Sequence, residues 1–259
     1  VGFKRKQFVT HTTLHYKKSA VRTFVLSQKF FIGVIIALVL VGLVINLIGT
    51  LGILIALLST IYFLDVVFNA GLIFKSLRNP QEIVVTDKEL QELKDSNLPV
   101  YTILCPLYKE AHIIPQFIEA ISKISWPKEK LDVILLLEED DNNSIDVAKR
   151  MGLPSYVRIA VVPDSQPKTK RKACNYGLSI AKGEYLVIYD AEDIPDTMQL
   201  KKAFLSFAKA GSEIKCLQAK LNYHNPHQNL LTRFFTAEYS LWFDVTLTGY
   251  QSINTSILT

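Results

Sequence analysis

Pro106-Leu107-Tyr108-Lys109-Glu110 and Tyr189-Asp190-Ala191-Glu192-Asp193 lie about eighty residues apart, each just past a run of strand-forming residues. The first stretch offers an aromatic face and a carboxylate, the second three carboxylates on a tight turn. A tyrosine placed there can stack on a base, a contact worth about 1–3 kcal/mol; Pro and Tyr after a strand also make an ordinary turn. Asp190 and Glu192 stand at i and i+2, and alternate strand residues share a face. Both can therefore reach one hard cation, Mg²⁺ or Mn²⁺, which would bridge carboxylate oxygens and a diphosphate. Such a cation neutralises charge developing on the diphosphate as it leaves. A solvated acidic turn is the plain alternative.

Two further clusters carry charge. Glu138-Glu139-Asp140-Asp141-Asn142-Asn143-Ser144 follows another strand-like run, with Asp146 behind it. A helix N-cap accounts for Asn143 or Ser144, but four successive acids repel one another and ask for a compensating ligand. A carboxylate here could accept hydrogen bonds from a base or ribose. Lys168-Thr169-Lys170-Arg171-Lys172-Ala173-Cys174-Asn175 is a basic turn opening a helix. Side-chain cations and helix N-terminal amides together suit a phosphate; a solvated charge run is the bland reading. Cys105, Cys174 and Cys216 show no metal spacing and read as free thiols in a reducing compartment.

The elements that must position these groups alternate. Strand-like runs are Val100–Cys105, Leu131–Leu137, Val157–Val162, Tyr185–Tyr189 and Ile214–Ala219. Helix-like stretches are Ala111–Ile124, Ser144–Met151, Arg171–Ala181 and Thr197–Lys209, with a further helix over Leu230–Leu247. Nearly all-apolar strands suit a sheet buried on both faces. The alternation predicts an α/β fold with a mostly parallel sheet and flanking helices. Ligands of such sheets bind beyond the carboxyl ends of the strands, where the polar motifs fall here.

The first 75 residues are different in kind. Of 259 residues 49% are hydrophobic, and none from Phe30 to Leu64 is charged. One bilayer crossing needs roughly 20 apolar residues, so the run predicts a two-helix transmembrane hairpin over 30–75, broken at Gly49–Gly52. Lys4, Arg5, Lys6, Lys17, Lys18, Arg22 and Lys29 form a basic arm over 1–29 with no acid, while the whole chain carries only +5. By the positive-inside rule both ends of the hairpin face the cytoplasm. That gives a multi-pass protein of the inner (cytoplasmic) membrane, and a basic arm leading straight into a span argues against a nucleic-acid partner. Residues 76–98 read as a polar linker and 99–259 as the α/β domain. The aromatic stretch Phe234, Phe235, Tyr239, Trp242, Phe243 suits either a membrane surface or burial.

The ordered series Pro-x-Tyr-x-Glu, acidic cluster, Lys-Ala-x-Asn and Asp-Ala-Glu-Asp resembles the family 2 glycosyltransferases, the cellulose-synthase-like group with a GT-A fold. Gln218–Tyr223, Arg233-Phe234-Phe235 and Glu238–Asp244 continue the likeness, which covers roughly residues 98–249. It implies transfer of a sugar from a nucleotide-diphosphate sugar, uridine-linked by family weight, to a polysaccharide or lipid acceptor by an inverting, metal-dependent displacement. Carried over, Tyr108 with Glu139, Asp140 and Asp141 would hold base and ribose. Lys170 and Lys172 would lie near the diphosphate, and Pro106, Glu110 and Asn175 would complete the donor site. Asp190 and Glu192 stand where the family has its Asp-x-Asp metal motif, with Asp193 sharing that role. The family's catalytic base lies in a Thr-Glu-Asp motif, and processive members add Gln-x-x-Arg-Trp; neither occurs here. After Asp193 the acids are Asp196, Glu213, Glu238 and Asp244. The expectation is a C-terminally truncated or frame-shifted chain that keeps the donor half of the site and is inactive alone; the alternative is a non-catalytic, membrane-anchored nucleotide-binding subunit or fragment whose partner chain carries the missing base.

Overall fold

The computed structural model describes residues 24–166 and 168–255, so the basic arm lies outside it as far as residue 23. Two compact units form, one from residues 85–209 and the other from 24–84 with 210–255.

In the second unit, helices α1 (Leu26–Ile45) and α2 (Leu47–Arg78) are each long and apolar enough to cross a membrane. At 1.5 Å per residue α1 is about 30 Å long, the thickness of a hydrocarbon core. The break between them falls at Asn46, three residues ahead of the expected Gly49–Gly52. Asn46 has extended backbone angles, and its Oδ1 accepts the Gly49 N–H at 2.9 Å. An amide side chain satisfies one of the orphan donors of a starting helix, whereas Gly49 and Gly52 run on inside it. The other end of α2 overruns the expected span, reaching Arg78.

The α/β unit opens with the short helix α3 (Asp87–Glu92). Strands β1 (Tyr101–Leu107), β2 (Leu131–Glu138), β3 (Val157–Val162) and β4 (Tyr185–Ile188) then form one parallel sheet in the order β3-β2-β1-β4. Helices α4 (Ile114–Ser122), α5 (Asn142–Arg150), α6 (Lys170–Ile180) and α7 (Gln199–Ala210) follow β1, β2, β3 and β4 in turn. The period-2 side-chain alternation sorts the core into two layers. Ile103, Cys105, Leu107, Val133, Leu135 and Leu137 pack with Phe117 and Ile121 of α4, Ala148 of α5 and Leu200 of α7. Leu104, Ile134 and Leu136 face the other way, with Ala173 of α6. Gly177 lets α6 come this close, because a Cβ there would stand 2.9 Å from both Leu136 Cδ atoms. All of β2 is buried, as a doubly covered strand must be.

The expected strand Ile214–Ala219 does not form. Residues 211–229 are irregular, and Ile214, Lys215, Cys216, Gln218 and Ala219 are exposed. β-propensity expresses the fit to a packed, half-buried surface, and this segment has none. Beyond it lie α8 (Leu230–Ser240), a π-helical turn at Leu241–Thr246 and α9 (Leu247–Gln251). Within the second unit α9 lies on α2: Gly249 meets Leu72, Ser76 hydrogen-bonds Thr248, and Lys75 Nζ donates to the Ser252 carbonyl at 2.8 Å. Lys220 bridges Glu82 and Asp244, each at 2.8 Å.

A polar knot closes the amino-terminal end of the sheet. Asp132, buried on β2, accepts Arg158 Nε at 2.7 Å, Arg158 Nη2 at 3.2 Å, the Lys182 N–H at 3.0 Å and the Thr102 hydroxyl at 3.0 Å. Burial alone would raise this carboxyl, but Arg158, Lys182 and Thr102 outweigh it and hold it below the usual range. A carboxyl depressed in the folded state contributes stability that is complete above its unfolded pKa, about 3.9, and is lost as pH falls through the folded value. Asp132→Asn is expected to cost about 1.5–3 kcal/mol at pH 7. Denaturation followed by Trp126 fluorescence in a Trp242→Phe background should show that deficit constant down to about pH 5 and closing below about pH 4.

Candidate functional site

The strands run parallel, so β1, β2 and β4 deliver their carboxyl ends to one edge, and a cleft of about 350 Å³ opens there. Pro106, Leu107, Tyr108 and Glu110 line it from the end of β1, and Glu138 from the end of β2. Lys168, Thr169, Lys170 and Ala173 come from the start of α6; Asp190, Ala191 and Glu192 follow β4. Six of the residues expected at a donor or metal site thus share one wall-to-wall space: Pro106, Tyr108, Glu110, Lys170, Asp190 and Glu192.

Each carboxylate of the acidic cluster has a partner within the chain, a lysine for two of them and backbone N–H groups for the other two. Glu138, buried, takes Lys172 Nζ at 2.7 Å, and that ammonium also donates to the Ser165 carbonyl at 3.1 Å. Glu139 accepts the Asp164 N–H at 2.9 Å. Asp140 accepts Lys168 Nζ at 2.5 Å and the Tyr108 hydroxyl at 3.2 Å. Lys168 above all, then Tyr108, holds the Asp140 carboxyl below the ordinary range. Asp141 is the N-cap of α5, a place expected for Asn143 or Ser144, and accepts the Ser144 N–H at 3.2 Å. Its other oxygen takes the Lys109 N–H at 2.6 Å. That bond fixes Lys109 with φ of 61°, a left-handed conformation that costs an L-residue about 1–2 kcal/mol. The strained turn sets Tyr108 and Glu110 on either side of it.

Several expected donor-site residues therefore have other positions. Lys172 is committed to Glu138 inside the protein, and Asp141 is buried as a cap. Glu139, Asp140 and Asn175 are not among the lining residues. Glu138 and Lys168 also line the cleft, one from the acidic run and one from the basic turn that the sequence marks, though neither is among the residues the family resemblance carries over. Their place follows from register: Glu138 ends the apolar run 133–137 of β2, and Lys168 stands two before the helix start.

The turn after β4 divides its carboxylates. Asp193 Oδ2 accepts the Asp190 N–H at 2.9 Å and closes the turn, and burial raises its carboxyl above the usual range. That bond engages one carboxylate oxygen of Asp193 in the turn itself. Asp190 and Glu192 face the cleft, and Asp190 Oδ1 pairs with the ammonium of Lys170. Among the described residues no three His, Cys, Asp or Glu side chains are grouped to hold a metal ion by themselves. Two carboxylates beside an anion-sized cleft nevertheless fit Mg²⁺ or Mn²⁺, ions commonly held by one or two carboxylates plus substrate phosphates.

A family model described as glycosyl transferase family 2 matches residues 102–258. The chain is 25% identical over 146 residues to a probable glycosyltransferase, YdaM, of Bacillus subtilis, covering 54% of this chain and 34% of that protein. It is 27% identical over 174 residues to glucomannan 4-beta-mannosyltransferase 1 of Oryza sativa, covering 64% and 32%. The chain thus spans about a third of the length of these curated relatives. Among solved structures it is similar to the mannosyltransferase PcManGT of Pyrobaculum calidifontis, in complex with GDP-Man and Mn²⁺. That match has 22% identity and a TM-score of 0.45, covering 58% of this chain and 41% of the other.

The buried pair carries a test. Lys172→Met leaves Glu138 charged without its partner and is expected to cost about 3–5 kcal/mol. The double variant Glu138→Leu/Lys172→Met should be less destabilised than Lys172→Met alone, because it removes both desolvated charges. Denaturant midpoints of the two proteins, read on the same Trp126 signal, check the order.

Proposed function

Because the chain belongs to glycosyl transferase family 2, we propose that this cleft binds a nucleotide-diphosphate sugar, uridine-linked, and presents its sugar for transfer to a polysaccharide or lipid acceptor. The observation that carries the proposal is the meeting of Tyr108, Lys170, Asp190 and Glu192 around one cleft at the carboxyl edge of a parallel sheet. Each group has a task of the right size and charge. Tyr108 offers a ring for the base, and Asp140, outside the lining but partly exposed and held beside Tyr108 by that hydroxyl and Lys168, offers a carboxylate to the ribose. Lys170 brings a cation to the diphosphate, and Thr169 opens α6, whose first amides favour an anion.

Asp190 and Glu192 would hold Mg²⁺ or Mn²⁺, which when bound neutralises charge on the departing diphosphate. The reaction is a single displacement: an acceptor hydroxyl, giving its proton to a base, attacks the anomeric carbon with inversion as the bond from that carbon to the diphosphate oxygen breaks and the nucleoside diphosphate leaves. The apolar helices α1 and α2 support membrane anchorage, and the basic residues ahead of them support a cytoplasmic face for the α/β unit. The acceptor is then a chain or lipid that grows at the membrane.

Asp190→Ala is expected to abolish Mn²⁺-dependent UDP binding, measured by calorimetry on the detergent-solubilised chain, with its circular dichroism unchanged. Undiminished metal-dependent binding in that variant would remove Asp190 from the site. Transfer of a radiolabelled sugar from a panel of uridine and guanosine donors by this chain alone would place a base among Asp196, Glu213, Glu238 and Asp244; metal-dependent binding without transfer would support the donor half and leave the base unassigned.

A further inference from the structure

Asp190 presents the carboxylate best placed for a cation, and that carboxylate is already paired with Lys170. Lys170 and Asp190 are each about half exposed, 51% and 48%, so both side chains are free to re-pair. The neighbouring lysine is differently engaged: Lys168 is held between Asp140 at 2.5 Å and Asp164 at 3.1 Å, with only 19% of its side chain exposed. We infer that Lys170 is a displaceable internal cation, occupying the Asp190 carboxylate until a diphosphate draws its ammonium away and a divalent metal takes its place. The inference rests on the donor-site reading above and adds an order to it: metal and nucleotide bind as a mutually dependent pair. Metal alone must compete with Lys170, whereas a diphosphate offers Lys170 a new partner and the metal extra oxygens in the same event. By reciprocity the metal then raises nucleotide affinity by the same factor.

Lys170 is a positioning residue in this account, and its test reads metal occupancy rather than turnover. Free Mn²⁺ would be measured by electron paramagnetic resonance on the solubilised full chain, with no nucleotide, with UDP and with GDP. An exposed ion pair is worth up to about 1 kcal/mol, so Lys170→Gln should tighten Mn²⁺ binding without nucleotide by up to about fivefold. The same variant should shrink the enhancement of Mn²⁺ affinity by the favoured nucleotide. Lys168→Gln, which removes an equal charge from the same cleft, should change nucleotide-free affinity by less than about twofold. Equal tightening in both variants would reduce the effect to general charge and overturn the inference, as would unchanged nucleotide-free affinity in Lys170→Gln. If the wild-type chain bound no Mn²⁺ with either nucleotide, the metal reading itself would fall, and the inference with it.

Discussion

The eight residues of β2 are all buried, and the last of them is a carboxylate. Glu138 can occupy that place only because Lys172, one turn into α6, reaches it through the protein and also satisfies the Ser165 carbonyl. Removing either charge leaves the other stranded in a low-dielectric setting, so the pair ties the start of α6 to the end of β2. Lys170 and Thr169, two and three residues ahead of Lys172, are brought to the cleft beside that tie. What looks like excess acid after β2 is a set of anchors: Glu138 for α6, Asp141 for the Lys109 turn and α5, Asp140 for Lys168.

Much of this was legible from residue types and their order. Alternating apolar runs announced four strands and the helices between them, and the polar motifs marked the carboxyl edge before any contact was known. Fixed-period patterns survive translation into structure because each face must be buried by something. The fifth strand failed for the same reason in reverse: Ile214–Ala219 has strand-like composition but nothing covers it. The hairpin breaks at Asn46 rather than at the two glycines because a cap supplies a hydrogen bond and glycine supplies only freedom.

Individual side-chain assignments were harder to read. Lys170 and Lys172 are two residues apart on one helix start, and nothing in their spacing says that one faces the cleft and the other is buried on Glu138. The three acids after β4 look equivalent in sequence, yet only Asp193 closes the turn by accepting the backbone N–H of Asp190. The left-handed turn at Lys109 had no signal at all, since glycine or asparagine would be the usual marker. For Lys172 and Lys109 the deciding partner is some thirty residues away, and repulsion within a like-charged run said only that partners had to exist.

Asn46 has a consequence of a practical kind. Helices α1 and α2 are joined by that one residue, with its N–H bonded to the Gly42 carbonyl at 2.8 Å and its side chain capping the next helix. In a bilayer such a joint leaves almost no polypeptide on the far side for a protease to cut or a label to find. A reporter inserted there would unpick a cap and shift the phase of a helix that α9 grips some twenty-six residues further on, at Leu72. Accessibility mapping of the hairpin would therefore return silence from its far end, and the silence would describe the tightness of the turn rather than the depth of the helices.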